Sequence, residues 1–306
     1  MEKLRIVFMG TPDFAVASLK TLIDSGENIV GVITSPDKPQ GRGKQTGVSA
    51  VKSYALDQNL HILQPLNLKE AEFINELRSL KADLQVVVAF RMLPEVVWAM
   101  PPKGTINLHG SLLPQYRGAA PIQWAVMNGE TVTGVTTFLL QHKIDTGNII
   151  FQEKEPIDMG ETMGEVYERL MYRGAGLVLK TVRAIAQNDY KPKPQVESKL
   201  IKHAPKLNKE NTFINWNRPA MELYHFIRGL NPYPASWTML HQKNLKVFFV
   251  EITNRNDLKP GVFESNGKDE IYVGTQDFAV KLMDIQLEGK KRMKTPEFLK
   301  GYRWPK

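Results

Sequence analysis

The chain has 306 residues, 42% of them hydrophobic and 24% charged, with a net charge of +8 and no cysteine. That composition is ordinary for a globular protein and leaves room for two domains with a sizeable core. It excludes disulfides, thiolate metal sites and cysteine nucleophiles, and with no HExxH-type or His-rich string no metal is expected.

The first apolar run, LRIVFMG (4–10), ends in Gly10 and reads as a buried strand. It is too short for a signal peptide, with Pro12 and Asp13 close behind, and no run approaches membrane-spanning length. A cytoplasmic location is therefore expected, with no membrane partner. Helical spacing follows over DFAVASLKTLIDSG (13–26), then a strand at NIVGVIT (28–34). Helices SAVKSYALDQ (49–58) and KEAEFINELRSL (69–80) precede two further apolar strands, LQVVVAF (84–90) and TINLH (105–109). Strands and helices in alternation predict an α/β domain with a mostly parallel sheet covered on both faces. Ligands of such sheets lie beyond the carboxyl ends of the strands. The turn GTPDFA after the first strand lacks the G-x-G-x-x-G of a pyrophosphate site, which counts against an NAD enzyme.

A helix PIQWAVMNG (121–129), antiparallel strands TVTGVTTFLL (131–140) and NIIFQEKEPI (148–157), and a long amphipathic segment from Thr162 to about Gln187 complete a first domain, 1–189. The Pro/Lys-rich stretch 190–208 reads as a linker. In 209–306, NRPAMELYHFIRGL (217–230) reads as a helix capped by Asn217 with Pro219 in its first turn. Short strands punctuated by Asn-Gly and Gly-Thr then predict a small closed, OB-like β-barrel. Charge is split unevenly: residues 1–190 hold 19 basic and 20 acidic side chains, and 191–306 hold 21 and 12. A basic C-terminal module is either a solvated face or a surface for a polyanion, with nucleic acid the favoured partner.

Side chains alternate along a strand, so Thr105, Asn107 and His109 share one face and Ile106 and Leu108 the other. Asn107 offers an amide donor and acceptor, and His109 changes its proton inventory near neutral pH. Alone, the pair more often caps a strand end than it catalyses. Asp145, in HKIDTGNII, either forms an Asx-turn or supplies a carboxylate that orients His109 and takes up a proton from an attacking amine. With no Ser or Cys nucleophile assigned beside it, the set favours direct transfer over a covalent enzyme intermediate.

The string INLHGSLLPQYRGAAPIQWAVMNG, followed by TGVTTFLL and IDTGNI, resembles the folate-dependent formyltransferases. RIVFMGTPDFAV, SPDKPQGRGK (35–44), APKLNKENTFINW (204–216) and NPYPASW (231–237) extend the resemblance end to end, to the members acting on methionyl-tRNA. The resemblance implies a Rossmann-like catalytic domain and an OB-like tRNA-binding domain, with 10-formyltetrahydrofolate as co-substrate and initiator methionyl-tRNA as acceptor. It makes Asn107, His109 and Asp145 the catalytic group, lines the folate site with Ser111, Leu112, Leu113 and Pro114, and sends Arg42 and Lys44 of the Gly-rich loop to the tRNA. A methionyl pocket is expected near Phe14, KKRMK (290–294) on the tRNA surface, and a monomer in solution. The chain departs from the family pattern at Arg91, where glycine is commoner, and at Gln141, His142 and Lys143 before the Asp-Thr-Gly. The nearest alternative is a sugar-nucleotide N-formyltransferase with the same trio, which has little use for a basic loop and a basic barrel. A noncatalytic RNA-binding protein would have no use for the trio.

Overall fold

The computed structural model describes residues 3–40 and 45–304. The chain divides into two compact units, one of residues 1–117, 134–155 and 168–202, the other of 118–133, 156–167 and 203–306. In chain order the elements begin β1 (Arg5–Gly10), α1 (Asp13–Asp24), β2 (Asn28–Ile33), β3 (Lys38–Gln40), β4 (Gln45–Gly47), α2 (Ala50–Asp57), β5 (Ile62–Leu63) and α3 (Ala71–Ser79). They continue β6 (Leu84–Val88), α4 (Glu95–Trp98), β7 (Thr105–His109), β8 (Arg117–Gly118), α5 (Pro121–Met127), β9 (Val132–Leu139), β10 (Ile149–Pro156) and α6 (Met163–Ala186).

The apolar runs form a seven-stranded sheet of order β10-β9-β7-β6-β1-β2-β5. β1 pairs in parallel with β2 and β6, β2 with β5, and β6 with β7, while β9 runs antiparallel to β7. Ile6, Val7, Phe8, Leu84, Val86 and Val88 are wholly buried, which is why β1 and β6 are predominantly apolar. Sheet order reverses at β1, with β2 on one side and β6 on the other, so a crevice is due at the carboxyl ends of β1 and β6. β7 lies one strand further along that edge.

β7 is held from behind. Leu108 seats against α6 at Gly174, where an added Cβ would come within 2.7 Å of its Cδ2. The buried hydroxyls of Thr137 and Thr181 meet at 2.8 Å and join β9 to the same helix. Glu155 of β10, itself 5% exposed, accepts a hydrogen bond from Arg169 Nε at 2.8 Å and another from Arg173 Nε. Burial alone would raise the Glu155 pKa; the two guanidinium groups outweigh it and hold the carboxyl below the usual range.

In the second unit β11 (His203–Ala204) pairs with β8, and after α7 (Ala220–Gly229) come β12 (Ser236–Leu240), β13 (Lys243–Ile252), β14 (Phe263–Ser265), β15 (Ile271–Val273), β16 (Val280–Leu287), β17 (Met293–Lys294) and α8 (Thr295–Lys300). Antiparallel pairing gives the order β12-β13-β16-β15-β14 with β17 beside β16, an open path with β12 and β14 at its ends. Val247, Val250, Leu282 and Ile285 pack with Leu223 and Ile227 of α7 in its core. Asn217 does not cap α7: the helix starts at Ala220, Pro219 holds the N-cap position in extended conformation, and Asn217 lies two residues too early. The cap comes from afar, Asp277 Oδ1 accepting the Ala220 N–H at 2.7 Å. Among the described residues no helix is long and apolar enough to cross a membrane.

Candidate active site

The ladders fix where the polar face of β7 emerges. Asn107 sits beside Val87 of β6 and opposite Phe138 of β9, and His109 opposite Thr136. Asn107 is half-buried and His109 buried, and alternation along the strand puts both on one face. Thr105, on the same face, donates its hydroxyl to the Trp98 carbonyl at 2.6 Å and so belongs to the scaffold.

His109 Nε2 lies 2.8 Å from the Tyr116 carbonyl oxygen. A carbonyl only accepts, so Nε2 carries the proton and Nδ1 is the nitrogen left to gain or lose one. Nδ1 faces Asp145 Oδ2 at 3.9 Å, with the two side chains 6% and 11% exposed. This exceeds a hydrogen bond but is an ion-pair separation when His109 is protonated. Structure therefore brings together His109 and Asp145, two predicted residues that lie in separate strings of the sequence.

Asp145 adopts a left-handed backbone, φ +53°. Aspartate tolerates this better than most residues, but it still needs holding. Thr146 Oγ1 donates to the Lys143 carbonyl at 3.0 Å inside the turn. Gly147 admits no side chain, since a Cβ there would stand 1.7 Å from the Leu139 carbonyl oxygen. The Asp-Thr-Gly string thus pairs a functional carboxylate with a sterically obligatory glycine.

Ser111 to Pro114 form the turn leaving β7, with a cis Leu113–Pro114 bond. Ser111 is wholly buried and donates to the Gln115 carbonyl at 2.6 Å; Leu113 is 3% exposed, and Leu112 and Pro114 are half-buried. Beneath the turn, Thr136 Oγ1 donates to the Ser111 carbonyl at 2.6 Å and accepts from Leu113 N at 3.2 Å and Gln152 Nε2 at 2.9 Å. Neither Thr136 nor Gln152 stands out in the sequence, because each looks like an ordinary polar residue of an alternating strand.

Arg91 spans two strand-end loops: NH1 donates to the Leu66 carbonyl at 2.9 Å and NH2 to that of Pro65, with the guanidinium 5.6 Å from the Phe90 ring centre. Burial lowers its pKa. Gln141, His142 and Lys143 are exposed; His142 lies 3.4 Å from Glu95 and edge-on to Trp98 at 5.3 Å, so it is a loop residue apart from the His109–Asp145 pair. Phe14 is buried at the start of α1. Arg42 and Lys44 lie outside the described residues. In the KKRMK stretch, Arg292 and Lys294 both reach Asp284, at 2.9 and 3.3 Å, and Arg292 stacks over Phe248 at 3.9 Å. Part of that basic run is thus already paired within the chain. Among the described residues no group of three or more His, Asp or Glu has the arrangement to hold a metal ion.

Known proteins resemble this chain over nearly its whole length. The family model described as formyl transferase matches residues 4–182, and that of the formyl transferase C-terminal domain matches 206–303. A methionyl-tRNA formyltransferase of Bacteroides thetaiotaomicron is 52% identical over 311 residues, covering 99% of this chain and 97% of the relative. One of Flavobacterium johnsoniae is 48% identical over 305 residues, covering 98% and 97%. Among solved structures, HypX of Aquifex aeolicus in complex with tetrahydrofolic acid superposes with a TM-score of 0.67 at 18% identity, covering 97% of this chain and 47% of that one. The N-formyltransferase of Helicobacter canadensis, in complex with folinic acid and dTDP-3-aminofucose, gives 0.67 at 21% identity, covering 91% and 98%. The structural likenesses concern the fold; with both family models matched and near-complete relatives at about half identity, the chain belongs to the formyl transferase family, among its methionyl-tRNA formyltransferases.

Proposed function

We propose that the chain transfers the formyl group of 10-formyltetrahydrofolate to the α-amino group of initiator methionyl-tRNA, in the cytoplasm and as a monomer, supporting translation initiation. The observation that carries the reading is the facing of His109 and Asp145 at 3.9 Å, on the strand that also presents Asn107 and leads into the Ser111–Pro114 turn. All three side chains come from one chain, which supports a site built within a single copy.

Attack of the neutral amine on the formyl carbon places negative charge on the formyl oxygen. The Asn107 amide and the Nδ1–H of protonated His109 are the donors available to it, as preorganised donors act in acyl transfer. Asp145 stabilises the imidazolium and carries the proton released by the amine toward the departing folate nitrogen. The residues present fit a folate. Leu112 and Pro114 give a half-buried apolar edge, while Ser111 and Leu113 act from within the turn by holding its shape. In this reading 1–189 is the catalytic domain and 190–208 the connecting segment. Residues 209–306 form an OB-like domain that adds electrostatic, largely sequence-independent tRNA affinity, and Arg42 and Lys44 meet the acceptor end.

Formyl transfer assayed in parallel with charged initiator tRNA and with an amino-sugar nucleotide tests the assignment. Turnover is expected with the tRNA alone; transfer to the sugar nucleotide at a comparable rate would refute it. His109→Ala and Asp145→Ala should lower turnover while tRNA binding persists, and Arg42→Ala should impair use of the tRNA while folate affinity is kept.

A further inference from the structure

We propose that Gln195 is a positioning residue for the catalytic carboxylate. The inference rests on His109 and Asp145 being the reacting pair. Residues 183–205 lie between the stretches matched by the two family models, and 190–208 read in sequence as a spacer. In the structure this stretch is strapped to the first unit. Ile149 and Lys193 exchange backbone hydrogen bonds at 2.8 Å, and the Lys202 carbonyl accepts the Tyr116 N–H at 2.6 Å. Between these anchors the half-buried Gln195 reaches the Asp145 turn.

Gln195 Nε2 donates to the Asp145 carbonyl and to the Gly147 carbonyl, each at 2.9 Å. Its Oε1 accepts from Arg117 Nε at 3.0 Å and from Arg117 NH2 at 2.8 Å. Two carbonyls that only accept and a guanidinium that only donates fix which way the amide points. Both amide protons and both oxygen lone pairs are used. Glutamate lacks the donors, and asparagine is a methylene short of spanning the same groups.

The consequence is a closed mechanical loop around the site. Arg117 follows Tyr116, whose carbonyl orients His109 Nε2; Gln195 ties Arg117 to the Asp145 backbone; Asp145 returns to His109 Nδ1. Arg117 is itself steadied by Glu197 at 3.0 Å. The left-handed backbone of Asp145 persists only where its surroundings over-determine it, and Gln195 bonds to that residue's own carbonyl. Gln195 thus sets the orientation of the carboxylate toward His109 without touching substrate.

The test compares Gln195→Ala and Gln195→Glu in steady-state formyl transfer on the full chain. Glutamate keeps the Arg117 contact but turns an acceptor toward two carbonyl oxygens, so both variants should lose about 10- to 100-fold in kcat, with KM for either substrate within about threefold and the chain still folded at the assay temperature. Wild-type kcat in Gln195→Glu would overturn the proposal, as would a loss confined to KM. Gln195→Glu added to Asp145→Asn should cost less than about twofold more, because residues acting through one another are not additive. A further tenfold loss in that background would place the action of Gln195 elsewhere and also overturn it. His109→Ala and Asp145→Ala are run alongside: if they retain turnover, the catalytic assignment itself fails; if they lose it while Gln195→Glu does not, only the role of Gln195 fails.

Discussion

Thr136→Val tests whether the turn that leaves β7 is built on one hydroxyl. Valine is nearly isosteric, so the change removes hydrogen bonding and leaves the packing alone. Thr136 is wholly buried, and its Oγ1 bonds to the Ser111 carbonyl, the Leu113 amide and the Gln152 side chain. Gln152 keeps its second contact, to the Leu113 carbonyl at 2.9 Å, so two buried backbone groups are stranded. Each costs about 1–2 kcal/mol when its partner is deleted, giving a loss of about 2–4 kcal/mol. For a unit of this size that is a fall of roughly 5–10 °C in Tm. Thermal unfolding followed by circular dichroism on the purified chain measures it, and Thr136→Ser, which keeps the hydroxyl, should recover most of the loss. Because the same turn carries Leu112 and Pro114, KM for the folate should rise with Thr136→Val. A Tm within about 1 °C of wild type would refute the reasoning, since it would mean that water or relaxation satisfies those groups.

Glu155→Gln should destabilise the chain by about 1–2 kcal/mol at pH 7, the partly exposed arginines limiting the cost. The folded carboxyl lies below its unfolded value, so its stabilisation is complete above a pKa of about 4.3 and is lost as pH falls through the folded value. The gap between variant and wild type in denaturant midpoint should therefore narrow in acid, as pH falls from the ordinary glutamate range through the lower folded value. Asp277→Ala removes the borrowed cap of α7; because the carboxylate is exposed, the loss should be under about 1 kcal/mol. The Asp277 carboxyl is lowered chiefly by the Ala220 N–H, so this difference too should fade in acid, read by urea titration at several pH values. Gly147→Ala cannot be accommodated without displacing the Asp145 turn; turnover should drop with the loss of His109–Asp145 geometry, and activity near that of wild type would show that the turn yields at no cost.

What the sequence disclosed and what it hid follow from the range of the forces involved. β1, β6 and β7 were legible because nearly every residue in them is buried, and alternation alone put Asn107 and His109 on one face. The two-residue β5 was not, because Ile62 and Leu63 leave no periodicity to read. The cap of α7 was misplaced for a related reason: Asn217 is a good capping residue by type, but Asp277 reaches the helix start from 57 positions away.

The site divides along the same line. Its reacting groups could be named from local strings, but the groups that hold them could not. Thr136 and Gln152 are separated in sequence from the turn they support, and Gln195 lies 50 positions from the carbonyl it binds. Proline and lysine around Gln195 suggest a spacer, and only the fold shows that the side chain between them is committed on both its nitrogen and its oxygen. Catalytic side chains carry chemistry that residue type reveals, whereas their supports are chosen for reach and donor count. A glutamine at the right distance is indistinguishable in sequence from one that merely faces water, so the support of this site becomes visible only where the chain crosses itself.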